Sequence, residues 1–121
     1  MCLELKSKWI MPRIAFKDIK CSKKLIIDSD GGFLTPYIYA KVEIGKKYKS
    51  KLRKCGISEI DIGLHSMDSL DSLKKINNFV YDKDEVIVEC IIPKFSIYYS
   101  GLFCNLKSYA SNRLKYIRIV E

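Results

Sequence analysis

The chain has 121 residues, of which 48% are hydrophobic and 30% charged, a composition typical of a globular protein. This length suits one domain, 1–121, and no apolar run reaches the roughly 20 residues that a membrane-spanning helix needs. Lysine and arginine number 22 against 14 acidic residues, so the net charge of +8 favours acidic partners such as nucleic acid or acidic protein surfaces.

The five cysteines lie at positions 2, 21, 55, 90 and 104 and form no CxxC or CxH pair. An odd number of dispersed cysteines favours free thiols in a reducing compartment. Residues 1–16 include Glu4, Lys6, Lys8 and Arg13, so they lack the apolar stretch of a secretory signal. We therefore expect a cytoplasmic protein without a structural disulfide.

In chain order, the aliphatic residues 25–27 predict a strand that enters a turn at the DSDGG sequence, residues 28–32. Residues 33–52 predict two short strands around Pro36, with a turn or bulge at Gly45.

Apolar residues then recur near helical spacing, which predicts the main helix over 67–80; they are Met67, Leu70, Leu73, Ile76 and Phe79. The nearly continuous apolar run EVIVECII, residues 85–92, predicts a strand in the middle of a sheet. Residues 96–103, with a bulge at Gly101, and 113–120 predict two more strands, and the small polar residues 108–112 predict a turn.

These elements predict an α+β fold, in which one main helix packs on a mostly antiparallel curved sheet of about five to six strands. The predicted core joins the helix face to one face of the 85–92 strand, either Val86, Val88, Cys90 and Ile92 or Ile87 and Ile91.

One segment, KKYKSKLRK at 46–54, holds six basic residues and no acidic one. The candidate binding residues are Lys46, Lys47, Tyr48, Lys49, Lys51, Arg53 and Lys54. They predict either a surface that follows a nucleic-acid backbone while Tyr48 stacks on a base, or a solvated lysine-rich hairpin that protects an edge strand.

No catalytic constellation is assembled by the sequence. His65, the single histidine, stands at a predicted strand-to-helix junction, and we favour a structural role for it over a functional one. No spacing suits a metal ion, and no glycine-rich phosphate motif indicates a nucleotide, so no metal or cofactor is expected.

Five motifs stand in the order YAKVEIGKKY, GLHS, VECIIPKF, YYSG and SYAS. In these motifs and their order, the chain resembles a family of short phage and prophage accessory proteins, and the resemblance covers nearly the whole chain. The family pattern has glycine at Phe95 and phenylalanine at Leu64, and this sequence departs from it at both positions. A fainter likeness connects the order of elements to ADP-ribosyltransferase-like folds, although the Glu-x-Glu of those enzymes is absent.

The resemblance implies a phage counter-defence protein of the host cytoplasm, an anti-CRISPR-like inhibitor rather than an enzyme. We expect it to bind a host RNA-guided nuclease, or its guide RNA complex, through the basic segment, and to have no membrane partner. One alternative is a general single-stranded nucleic-acid-binding protein. Another is an ADP-ribosyltransferase-like remnant whose secondary site would use His65 with Tyr98 or Tyr99.

Overall fold

A computed structural model describes residues 3–5, 11–35, 40–55, 59–69, 85–103 and 106–120. These residues form thirteen strands joined in one sheet, and every strand pairing is antiparallel. The strands are β1 (Leu3–Glu4), β2 (Arg13–Ile14), β3 (Ile19–Ile27), β4 (Phe33–Leu34), β5 (Lys41–Val42), β6 (Lys47–Lys49), β7 (Arg53–Cys55), β8 (Glu59–Ile62), β9 (Leu64–Met67), β10 (Glu85–Ile92), β11 (Ile97–Phe103), β12 (Leu106–Ser111) and β13 (Arg113–Ile119).

The predicted α+β class is wrong, because the part of the chain that the structure describes is all β. Met67, the first residue of the predicted helix, is instead the last residue of β9, where it pairs with Ser108 on one side and Ser22 on the other. These pairings with distant strands override the local helical spacing. Asp68 and Ser69 are not helical, and residues 70–80 of the predicted helix, with Leu70, Leu73, Ile76 and Phe79 of its core face, lie outside the described residues.

The strand predicted for the middle of the sheet is confirmed. β10 pairs with β3 from Glu85–Ile26 to Ile92–Ile19, and with β13 along its other edge. The strand order is β6-β13-β10-β3-β9-β12-β11-β1-β8-β7, while β2 pairs with β11 and β4 lies between β3 and β5. Strands near residues 25–27, 97–103 and 113–119 are likewise found where the sequence predicts them.

The sheet curls into a half-barrel around its inner face. The core on that face combines Leu25 of β3, Val88 and Cys90 of β10, and Leu114 and Tyr116 of β13, all buried. Because residues at alternate positions of a strand share a face, this core uses the first of the two faces predicted for β10, with Val88, Cys90 and Ile92, while Ile87 packs in a separate cluster.

A second core packs on the opposite face of β11 and β12, where Leu3, Ile60 and Ala110 are buried beside Leu52 and Tyr99. β12 is therefore covered on both faces, and its buried side chains, those of Ser108, Ala110 and Ser111, are small. The turn predicted for 108–112 is wrong up to Ser111, because Ser108 to Ser111 belong to β12, and only Asn112 lies between β12 and β13.

Gly101 lies where β1 pairs with β11, next to the Glu4–Leu102 position. A β-carbon added to Gly101 would collide with the backbone oxygen of Glu4 and approach the Leu3 side chain. The β11–β12 register is continuous through Gly101 and Ser108, so the bulge predicted at Gly101 is absent. Glycine is needed here for the close approach of two backbones.

No helix in the described ranges is long and apolar enough to cross a membrane.

We expect Gly101→Ala to lower the free energy of unfolding by about 1–3 kcal/mol, because the added methyl group overpacks a contact with backbone that has little freedom to move. Urea or thermal melts measure this loss. Gly32→Ala is the matched control, since its β-carbon would meet only the flexible Asp30 carboxylate at 3.2 Å. Equal melting of the two variants would contradict the close approach of β1.

Candidate binding surface

The basic segment 46–54 runs from one edge of the sheet to the other. Its first part forms β6 and its last part forms β7, and these strands stand at opposite ends of the strand order. The connection 50–52 spans at most roughly 14 Å between Lys49 and Arg53, so the two edges approach each other at this end. Leu52 anchors the connection in the second core.

The lysines of this segment point largely into solvent. Lys46, Lys47, Lys49, Lys51 and Arg53 are exposed, and Lys54 is half-buried. The structure therefore presents most of the predicted binding residues on the surface.

Tyr48 has a different environment from the lysines beside it. Its hydroxyl accepts a hydrogen bond from the Glu43 backbone N–H at 2.7 Å, and its ring packs edge-on against Tyr116 with centroids 5.6 Å apart. The Lys46 ammonium lies 5.7 Å from the centre of the same ring. Tyr48 thus holds β6 against the half-barrel, and its ring is already engaged by protein groups.

The pairing of β6 with β13 adds cations that the sequence analysis missed. Lys47 lies opposite Lys115, and Lys49 lies opposite Arg113. We call these four residues the cation grid. The sequence RLKYIRI alternates polar and apolar residues, and Leu114 and Tyr116 point inward. This alternation could have indicated from the sequence that Arg113 and Lys115 share the outer face.

Like charges directly opposite each other destabilise a strand pair. The described ion pairs Lys24–Glu85, Lys41–Asp30 and Arg118–Glu89 lie elsewhere and do not neutralise the grid. The cation grid is therefore a local concentration of positive charge that folding does not require.

His65 is buried in β9 rather than exposed at a junction. Its ring Nδ1 lies 3.2 Å from the Gly63 carbonyl oxygen and its Nε2 lies 3.4 Å from that of Ile60. Burial, with the nearby charge of Lys23, lowers the pKa of His65 to about 4, so the imidazole is neutral at neutral pH. This environment suits a structural histidine.

Of the two tyrosines predicted as alternatives for a secondary site with His65, the structure places Tyr99 on the face of His65 and Tyr98 on the other face. Tyr99 and His65 both lie opposite Ala110, on the two strands that flank β12, which places their backbones about 10 Å apart. Tyr98 points to the other face, where it packs edge-on against Tyr109.

Lys23, which the sequence analysis also missed, is buried on the inner face. It lies between Cys21 and Leu25 in the alternation of β3, and its ammonium donates a hydrogen bond of 2.8 Å to the His65 carbonyl oxygen. β3 and β9 pair only at Ser22 and Met67, so the hydrogen bond from Lys23 is a further connection between these two strands. Burial lowers the pKa of Lys23 to about 8.

Two buried cysteines, Cys21 and Cys90, carry free thiols and lie directly opposite each other on β3 and β10. Among the residues that the structure describes, no group of three His, Cys, Asp or Glu side chains is arranged to hold a metal ion.

We expect stability to fall with acid through His65. Its folded-state pKa of about 4 lies below the ordinary 6.5, so the unfolded chain takes up the proton first as the pH falls. Between pH 7 and pH 5 this difference should remove about 2 kcal/mol of stability. Urea melts at both pH values measure it, and His65→Gln should lose correspondingly less over the interval. An equal loss in both proteins would show that His65 is not buried as a neutral ring.

Comparison with known proteins adds no relative to this description. No family model, no curated protein and no solved structure matches the chain. The resemblance to phage accessory proteins therefore stays a prediction from the motifs.

Proposed function

We propose that this chain is a phage-encoded counter-defence protein that binds a host RNA-guided nuclease and blocks it through a basic surface. It acts in the cytoplasm of the host cell, in the manner of an anti-CRISPR inhibitor, by occupying a site rather than by catalysing a reaction. The motif resemblance supplies the biological setting of this proposal, and the cation grid supplies the surface.

The cation grid is the observation that carries the proposal. Lys47, Lys49, Arg113 and Lys115 form two rows of like charge on paired strands, with Lys51 and Arg53 following in the connection and β7. Because the opposed like charges of the cation grid cost folding free energy, an anionic partner that neutralises these four residues gains binding free energy from them.

Such a surface offers two ways to block a nuclease that carries a guide RNA. It fits an acidic groove on the protein, or it competes with the enzyme for the phosphates of the guide or target strand. In either case opposite charges accelerate association and make it sensitive to salt.

A second candidate is a general single-stranded nucleic-acid-binding protein. The spacing of Lys47 and Lys49, about 7 Å for alternate residues of a strand, favours it because a regular row of cations can follow a phosphate backbone. A nucleic-acid binder should bind labelled oligothymidine without any nuclease and with a steep salt dependence. An inhibitor should need its protein target.

We expect the triple substitution of Lys47, Lys49 and Lys51 by Glu to abolish inhibition while the protein melts at nearly the same temperature. Exposed charges contribute at most about 1 kcal/mol each to folding, whereas three reversals turn attraction of the partner into repulsion. The paired measurements are thermal melting and cleavage of target DNA by guide-loaded nucleases in the presence of each protein.

The matched control reverses three exposed lysines elsewhere, Lys20, Lys41 and Lys107, and so changes the net charge equally. This control should still inhibit. If the first variant also inhibits, or both variants lose inhibition alike, the cation grid is not the binding surface. If the unaltered protein blocks none of the nucleases, the proposed function is wrong.

A further inference from the structure

An exposed apolar cluster lies at the same end of the sheet as the basic segment. Ile14 and Phe16 are 54% and 82% exposed, and Phe95 and Ile97 are 65% and 41% exposed. We call these four residues the apolar end patch. Contiguous exposed apolar residues rimmed by polar ones mark interaction sites on soluble domains.

The backbone holds the four residues together. Ile14 lies opposite Ile97 in the β2–β11 pair, and the Ala15 N–H donates to the Ser96 carbonyl oxygen at 2.9 Å. The Phe95 N–H donates to the Ala15 carbonyl oxygen at 2.7 Å. Ala15 itself is buried, so its neighbours Ile14 and Phe16 are directed outward.

Phe95 adopts a backbone conformation that its side chain disfavours. Its φ is 70°, in the left-handed region, within a turn that the Ser96 N–H closes onto the Pro93 carbonyl oxygen at 3.0 Å. The third position of such a turn usually holds glycine. Strain of this kind concentrates at functional sites, and the exposed ring gives little packing in return.

The apolar end patch is continuous with the basic segment through Asn112. The Ser50 N–H donates to the Asn112 carbonyl oxygen at 2.9 Å, and the Asn112 N–H donates to the Ile97 carbonyl oxygen at 3.0 Å. The Asn112 side chain accepts from the Ile97 N–H at 2.9 Å. Asn112 thereby connects β11 to Ser50, the residue that follows β6.

Basic side chains lie beside the apolar end patch. Arg13, Lys17 and Lys94 are exposed beside it, and the Lys94 ammonium lies 5.0 Å from the centre of the Phe95 ring. The nearby carboxylate of Asp18 already accepts the Lys94 backbone N–H at 2.8 Å. A complementary partner therefore has to supply both apolar side chains and carboxylates.

We infer that the apolar end patch is the hydrophobic anchor of a protein-binding surface, and that its partner is an acidic protein segment with apolar side chains between its carboxylates. An apolar centre with a charged rim is the organisation of protein–protein interfaces, in which a few aromatic residues supply most of the affinity. Ile14 and Ile97 offer no stacking face to a nucleic-acid base, which favours a protein partner. This inference rests on the proposed function in one respect: it treats the apolar end patch and the cation grid as parts of one binding surface.

The test uses two fluorescein-labelled peptides of equal charge, one alternating glutamate with leucine and phenylalanine, the other alternating glutamate with serine. The apolar acidic peptide should bind at least tenfold more tightly. The double variant Phe16→Ala, Phe95→Gly should weaken that binding at least tenfold, because it removes both aromatic anchors.

The same variants separate binding from folding. Phe95→Gly alone should raise the melting temperature, since glycine adopts a positive φ without strain. Ile119→Ala is the matched control, because Ile119 is 47% exposed but lies at the far end of β13, and it should change peptide affinity less than twofold.

Three results would overturn the inference: equal affinity for the two peptides, unchanged affinity in the double variant, or loss of binding in Ile119→Ala as well. The inference would also be overturned if binding of oligothymidine, or of vesicles of phosphatidylserine and phosphatidylcholine, depended on Phe16 and Phe95 while binding of the peptide did not. That result would favour nucleic acid or a membrane surface as the partner.

The two proposals fail separately in the nuclease assay. If the lysine reversals abolish inhibition and the double phenylalanine variant inhibits fully, the proposed function stands and this inference is wrong. If the phenylalanine variant loses both peptide binding and inhibition, and the lysine variant keeps them, the anchor stands and the cation grid is not the binding surface.

Discussion

The antiparallel pairing of β10 with β3 is the interaction on which the rest of the sheet depends. It runs without a register shift from Glu85–Ile26 to Ile92–Ile19, and both strands bury one face in the main core. β10 then receives β13, and β13 receives β6, so the position of the basic segment follows from this pair. On its other side β3 pairs with β9 at a single position, and the buried Lys23 adds a hydrogen bond between the two strands.

The proposed binding surface is assembled by strand ends and connections rather than by one element. β6 contributes Lys47 and Lys49, β13 contributes their opposite partners, and the β10–β11 turn contributes Phe95. Asn112 connects these pieces through backbone and side-chain hydrogen bonds. A rigid sheet thus presents side chains that folding itself does not favour, namely paired like charges and a strained exposed ring.

The buried polar side chains of His65 and Lys23 differ from the exposed charges of the binding surface, because they support the fold and are shielded from solvent. His65 and Lys23 meet at one carbonyl group, and burial lowers the pKa of both side chains. Each is therefore held in an environment that disfavours its charged form. Perturbed pKa values of this kind often indicate active sites, yet here desolvation within a packed sheet accounts for both.

Much of the β structure was predictable from the sequence. Residues 85–92 and 113–119 carry apolar patterns that only a strand satisfies well, and the charge of residues 46–54 identifies an exposed segment without reference to the fold. The turn at Phe95 has a positive φ, a conformation that glycine adopts more easily than phenylalanine does. These properties are local, so a single stretch of sequence specifies them.

The tertiary structure alone decided the class of the fold around Met67, the burial of Ser108, Ala110 and Ser111, and the grouping of Arg113 and Lys115 with the basic segment. In each case the deciding partner is distant in sequence. Helical spacing carries no information about the two strands that pair on either side of Met67. A stretch of small polar residues predicts a turn unless it is known to lie between two packed layers. The sequence by itself determined which segments extend and which are charged, whereas strand register, a long-range property, decided which side chains share a face.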